Sequence, residues 1–340
     1  MRVVPLLLFI SAAFAQSWQP NVTNAKFESR AYSGDLRAQI QASAATTWFG
    51  YAVKSVRNNN DDGCWNSPDG RWLEDEKKGG WPAAKPSRPV ALEGTDAIAI
   101  LFRVDNNRVE KIRVFPISCP VDAGGLPFVW LTAVPAHASL AYLQTFATQS
   151  TDQIADAAIF AIAQHDGPEA DSTLEQLTRP TQPERTREKS TFWLGASRGA
   201  RGLAILKQIL QTDPSDHVRD KAVFALSISK QPEGLDFLIH AANSDPSAHV
   251  RGQALFWLAQ KAGKRASDAI TNAIENDPDT EVKKKAVFAL SQLPKDDGVP
   301  KLIEVARTQR NPEVRKQAFF WLGQSQDPRA LAFIEQVLTK

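Results

Sequence analysis

The chain has 340 residues, a formal net charge of +2, 43% hydrophobic and 23% charged residues. That length accommodates about two domains, and the balance is that of a globular chain, neither disordered nor a bundle of membrane helices. The near-neutral charge gives no electrostatic case for nucleic acid, which usually needs a basic stripe, so no nucleic-acid partner is implied.

The first fifteen residues read as an export signal. Arg2 supplies a positive start, Val3 to Phe14 an apolar run, and Ala13-Phe14-Ala15 a small-x-small cleavage site, which places the mature start at Gln16. No later segment approaches the ~20 apolar residues of a membrane span. The chain is therefore expected to be exported, to the periplasm or beyond.

Residues 16–145 are expected to form a small β-rich domain. Thr47–Val56, Ala97–Val104, Val109–Phe115 and Pro127–Val134 read as strands, with Asp105-Asn106-Asn107 as a hairpin turn. Ile112 and Val114 alternate with Lys111 and Arg113, the pattern of a half-buried strand. A long polar loop, Arg57 to Pro89, separates the first two strands. Loops of that length are often functional. Six of the nine tryptophans fall in this region. Trp65, Trp72 and Trp81 read either as anchors of a small β core or as platforms for sugar rings. Asp61, Asp62, Asp69, Glu74, Asp75 and Glu76 read as a solvated acidic loop or, alternatively, as acid/base or calcium groups, but their spacing is not that of an EF-hand. Asn21-Val22-Thr23 fits a glycosylation acceptor.

The only two cysteines, Cys64 and Cys119, lie in this region. An exported chain with an even count usually pairs them. One bridge would close a long loop and contribute roughly 3–4 kcal/mol in the chain-entropy model. The alternative, a nucleophile at Cys64, has no histidine beside it in sequence.

From residue 150 to 340 the sequence repeats. Phe160, Phe192, Phe224, Phe256, Phe288 and Phe320 are each 32 residues apart, and so are Leu174, Leu206, Leu238, Ile270, Leu302 and Ile334. Each unit reads as two helices. In the first, Val218, Ala222, Ala225 and Leu226 fall on one face of a 3.6-residue period; in the second, Leu235, Leu238 and Ala242 do so. Asp213-Pro214, Asp245-Pro246, Asp277-Pro278 and Asn311-Pro312 are expected to start and cap the first helices. A single hairpin cannot bury its apolar face, whereas stacked hairpins can, so about six of them form an α-solenoid. The fold class is thus α+β and multidomain.

The Asp-Pro pair followed by Val218-Arg219, Val250-Arg251 or Val314-Arg315, with Val282-Lys283 as a variant, resembles the short HEAT-like repeats of phycobilisome-lyase-type proteins and many bacterial scaffolds. The resemblance covers about residues 150–340. It implies a protein or peptide partner, and neither a cofactor nor a catalytic residue.

In such solenoids the second helices usually line the concave face. The corresponding positions are Gln208, His240, Asn272, Glu304 and Gln336, with a second row of Gln211, Asn243, Glu275 and Arg307. They read either as a plain solvated face or as a groove that hydrogen-bonds a partner. On a helical wheel the phenylalanine ladder points away from the partner helix, toward the next repeat or onto a ridge. The following residue alternates as Ala161, Trp193, Ala225, Trp257, Ala289, Trp321, large against small, as interdigitating layers require. His217 and His249 recur at the repeat spacing and read as surface residues, without a third ligand for a metal. No polar capping repeat follows the last hairpin, so the apolar edge at Phe333 and Val337 is a candidate for self-association.

Overall fold

The computed structural model describes residues 18–56, 71–74, 96–149, 152–261 and 263–339. The proposed signal, Cys64, and Trp65, Trp81, Asp61, Asp62, Asp69, Asp75 and Glu76 of the long loop lie outside them. Two compact units divide the chain, residues 1–142 and 143–340.

The first unit is built on a five-stranded sheet. Its strands β2 (Lys26–Ala31), β8 (Pro127–Thr132), β3 (Thr47–Lys54), β5 (Ala97–Asp105) and β6 (Arg108–Pro116) stand in the order β2-β8-β3-β5-β6. The pairs β2–β8 and β8–β3 are parallel, and β3–β5 and β5–β6 antiparallel. Asn106 and Asn107 turn the β5–β6 hairpin with φ of 48° and 61°. Asparagine tolerates this left-handed backbone better than most residues, which is why a two-residue Asn-Asn loop closes here. Central strands are buried on both faces. Trp48, Ala97, Ala99, Leu101, Phe128 and Trp130 form one core. Phe49, Tyr51 and Phe102 fill the other, where the Tyr51 hydroxyl lies 2.8 Å from that of Ser139. A Cβ on Gly50 would fall 2.5 Å from Leu101 and 3.1 Å from the Trp130 ring, so these two side chains together occupy the space of a β-carbon. A small parallel sheet, β1 (Asn21–Thr23), β7 (Pro120–Asp122) and β4 (Arg71–Trp72), completes the strands. The helix α1 (Leu36–Ile40) is capped by Asp35, which accepts from Ala38 N–H.

Glu74, the described carboxylate of the acidic loop, is a structural clamp. It accepts from the Trp48 indole N–H at 2.7 Å and from Arg103 Nε at 3.0 Å. Burial pushes its carboxyl upward, but the hydrogen bonds from Arg103 and Trp48 outweigh burial and hold it below its usual range.

The helix α2 (Ala136–Gln149) carries the division between the units. Six helical hairpins follow. Their first helices are α3 (Asp152–Gln164), α5 (Glu184–Ser197), α7 (Asp216–Ile228), α9 (Ala248–Lys261), α11 (Thr280–Ser291) and α13 (Pro312–Gln324). Their second helices are α4 (Pro168–Leu177), α6 (Gly199–Thr212), α8 (Gly234–Ser244), α10 (Lys264–Asn276), α12 (Lys295–Thr308) and α14 (Pro328–Leu338). The repeated apolar positions are the core: Leu174, Leu206, Leu238, Ile270 and Leu302 are all buried, as are Ala222, Ala254, Ala286 and Ala318 on the first helices.

The capping differs from the expectation in one respect. Asp213, Asp245 and Asp277 do not begin the first helices; they close the preceding second helices α6, α8 and α10. Each accepts the backbone N–H two residues on, from Ser215, Ser247 and Asp279, a turn that aspartate favours. The N-caps are Ser215 for α7, Asp279 for α11 and Asn311 for α13. Asn311 therefore stands in register with Ser215 and Asp279, and Gln309 with the three aspartates. The aspartates are freed from local capping for another task.

Candidate functional site

The two helical layers of the solenoid have different chemistry. In the first-helix layer a buried relay ties each arginine to the loops that precede and follow its own hairpin. The Arg219 guanidinium reaches forward 26 residues to Asp245, with Nε–Oδ2 of 2.9 Å and Nη2–Oδ1 of 3.1 Å. Arg187 does the same to Asp213, and Arg251 to Asp277. Side-chain exposure is 8% or 10% for these arginines and 2% or 4% for the aspartates. The third donor, Nη1, satisfies a backbone carbonyl at the start of its own repeat, that of Gln182, Asp213 or Asp245. All five guanidinium donors cannot be left dry in such a place, and the fork geometry of arginine is what lets one side chain serve both groups. The Val-Arg and Asp-Pro motifs were visible separately in the sequence. Their pairing was not, because the partners lie 26 residues apart, at the two ends of one hairpin. Arg187 was missed as well, since Thr186 precedes it in place of valine.

The phenylalanine ladder and the tryptophans form one continuous row on the same layer. Successive ring centroids along Phe160, Trp193, Phe192 and Phe224 lie 4.7, 4.9 and 5.9 Å apart. From Phe224 the row continues through Trp257, Phe256 and Phe288 at 4.9, 5.0 and 6.3 Å. Trp321 and Phe320 end it, each step 5.0 Å. These spacings are those of favourable aromatic pairs. The alternation of Ala and Trp is thereby explained. Ala161, Ala225 and Ala289 are fully buried, whereas each tryptophan is half-buried and bridges two phenylalanines. The row is inter-repeat packing with an accessible edge, and Phe320 at its end is 53% exposed. Close approach of the first helices goes with it: a Cβ on Gly195 would fall 2.2 Å from the carbonyl oxygen of Ala225.

The second-helix layer is more open, its helices packing less extensively against one another than the first helices do. Gln208, His240, Asn272, Glu304 and Gln336, with Gln211, Asn243, Glu275 and Arg307, are all exposed, at equivalent positions on α6, α8, α10, α12 and α14. One direct tie joins neighbours within these rows, Asn272 donating to Asn243 at 3.2 Å, while Arg307 lies over the ring of the buried Phe333 at 5.3 Å. Among the described residues, the side chains of Gln208, Gln211, His240, Glu275, Glu304 and Gln336 hold no hydrogen bond or ion pair. Exposed ion pairs flank the rows, Arg201 with Glu175, Arg265 with Asp236 and Arg329 with Asp296. Each contributes little to stability.

At the last hairpin Phe333 is buried against Phe319, with centroids 5.7 Å apart. The exposed apolar groups there are Leu331, Val337 and Leu338. Among the described residues, no helix is long and apolar enough to cross a membrane.

Repeated antiparallel helical hairpins, each welded to the next, define a helical-repeat solenoid. More particularly, the HEAT-repeat family model matches residues 170–259 and 267–340, and these residues are HEAT repeats. No curated protein sequence matches the chain. Among solved structures, a chain of the Kap95p–RanGDP complex is 21% identical, with a TM-score of 0.41 over 60% of this chain and 32% of that one. The CpcE–CpcF complex of phycocyanin lyase from Nostoc sp. PCC7120 gives 18% identity and a TM-score of 0.37 over 45% of this chain and 98% of that one. The S. pombe condensin Cnd3–Cnd2 subcomplex gives 19% and 0.37, over 56% of this chain and 27% of that one. The chain thus spans under a third of the first and last of these.

Proposed function

We propose that the chain is an exported protein-interaction module whose solenoid takes a protein or peptide partner along the second-helix rows. The observation that carries the reading is the set of nine exposed polar side chains in register on five successive helices, most of them with unused hydrogen-bonding capacity. Repeat solenoids use such extended surfaces for recognition. Export is supported by the order Arg2, apolar run, Ala13-Phe14-Ala15. In that compartment a Cys64–Cys119 bridge is the expected staple of the first unit, and Cys119 is buried in the turn just before β7. Leu331, Val337 and Leu338 support a secondary role for the last hairpin in self-association.

The test is affinity capture from the native cell envelope with the mature protein, beside a variant in which Gln208, His240, Asn272 and Glu304 are all alanine. One protein captured by the parent and lost by the folded variant supports the reading. Equal capture by both removes the second-helix rows as the binding surface.

A further inference from the structure

The edge strand β2 differs from the other strands of the five-stranded sheet in that every residue from Lys26 to Ala31 is exposed. One side of it is bonded to β8, and among the described residues no strand pairs with the other side. The bonded side fixes the phase of the free one. Lys26 and Tyr32 donate their N–H groups to the Leu126 and Thr132 carbonyls, on the β8 side. Backbone direction alternates along a strand, so Phe27, Ser29 and Ala31 turn their N–H and C=O groups toward the free edge. Phe27 is 50% exposed although its ring stacks on Phe128, with centroids 6.0 Å apart. Glu28 and Arg30 lie on the opposite face of the strand and pair there at 2.6 Å, both half-exposed. Unpaired edges are templates for another strand, and proteins usually blunt them with lysine or proline. The other edge of the sheet follows that rule, since β6 ends in Pro116, which has no N–H. The strand β2 contains no proline, and Glu28 and Arg30 flank Ser29 with opposite signs.

We propose that β2 is a dimerisation edge, to which the β2 of a second copy of this chain adds antiparallel, centred on Ser29. The strand's own sequence sets both the occupant and the register. An antiparallel copy centred there places Ser29 opposite Ser29, Phe27 opposite Ala31, and Glu28 opposite Arg30 in both directions. The residues whose amides face the edge then meet one another and exchange backbone bonds. The two Glu28–Arg30 pairs fall at the positions without those bonds, where side chains of opposite strands stand closest. Phe27 gains the cover of Ala31 from the copy. The Ala31 carbonyl already accepts from Gln39 Nε2 at 3.0 Å; its second lone pair and its N–H serve the copy. Neighbouring registers lose these matches. Centring on Glu28 or on Arg30 sets a like charge against itself and turns amides already bonded to β8 toward the copy. Centring on Phe27 leaves Arg30 opposite Asn24, whose φ of 50° lies outside the strand. The interface is separate from the second-helix rows and does not depend on those rows binding anything.

The test is sedimentation equilibrium of the mature protein over a concentration series, in which a reversible dimer is expected. Glu28→Arg and Arg30→Glu each set like charges across the edge and should each weaken the dimer by about tenfold or more. An equimolar mixture of the two variants should restore it, because every charge then meets its opposite. Both positions are exposed, so each variant should keep the circular-dichroism spectrum of the parent. Ser29→Cys should give a covalent dimer on oxidation, whereas the parent and Lys26→Cys should not. A monomer at every concentration overturns the proposal. So does a dimer indifferent to both charge changes, or one that the mixture fails to restore. Covalent linkage through Phe27→Cys in place of Ser29→Cys overturns the register. A dimer lost on Val337→Ser and kept in Glu28→Arg overturns the proposal by moving self-association to the last hairpin.

Discussion

The first and second helices of the hairpins are equal in number and similar in length, yet they solve different problems. The first-helix layer is chemically repetitive: alanine and phenylalanine recur at 32-residue steps, with arginine at 187, 219 and 251, and most of these side chains are engaged in packing or ion pairs. The second-helix layer repeats only its buried leucine or isoleucine, while its outward positions pass through Gln, His, Asn, Glu and Gln. A position that must fit an identical neighbour is held to one residue type. A position that faces solvent is free to vary, and that freedom is what a recognition surface needs. Stability therefore resides mainly in one layer and the candidate recognition surface in the other.

The largest effect that sharpens this contrast is expected in the relay. Asp245→Ala leaves the Arg219 guanidinium buried and unpaired, which costs about 3–5 kcal/mol. Urea unfolding followed by tryptophan fluorescence should show the unfolding free energy fall by that amount, whereas Asn272→Ala on the open layer should change stability by less than about 0.5 kcal/mol. Equal effects at the two sites would erase the distinction.

Next comes an acid sensitivity built into the first-helix layer. His165, fully buried after α3, has its pKa pushed down to about 4, chiefly by burial and also by Arg198, against the upward pull of its bond to the Ala161 carbonyl. The unfolded chain, near 6.5, binds the proton more readily. Stability is accordingly intact above pH 6.5 and falls as the pH drops toward 4, by at most about 3 kcal/mol from this residue. His165→Gln should flatten that part of the stability–pH curve measured by urea unfolding.

A smaller effect compares two glycines in the same register. Gly195→Ala drives a methyl into the Ala225 carbonyl and should cost about 1–3 kcal/mol. Gly323, four repeats on, has nothing within 4 Å of a built Cβ, so Gly323→Ala should raise stability by up to about 1 kcal/mol through helix propensity. Thermal melts of the two variants should move in opposite directions.

The solenoid was legible because each hairpin meets the same neighbour, so physics repeats as sequence does. The heptad-like spacing of Val218, Ala222, Ala225 and Leu226 located the helices, and all four are buried. What stayed hidden was the contact that closes a whole hairpin end to end. Asp213, Asp245 and Asp277 looked like local caps, because an aspartate before a proline has that meaning within a single turn. In the β-rich unit β3, β5, β6 and β8 were readable from apolar runs, the alternation of β6 and the Asn106-Asn107 turn, whereas the exposed β2, as long as β8, was not. The Glu74 clamp was not, because it joins residues 26 and 29 positions apart through contacts no period encodes. Likewise the exposure of the second-helix rows followed from the wheel.

The assignment of recognition to the open layer is tested most directly by a photo-crosslinking amino acid placed singly at Asn272, on α10, or at Lys221, on the exposed side of α7 in the other layer. With each protein expressed in its native cells and irradiated, a partner should be trapped from position 272 and not from 221. Trapping from 221 alone would contradict the account and move recognition to the first-helix layer.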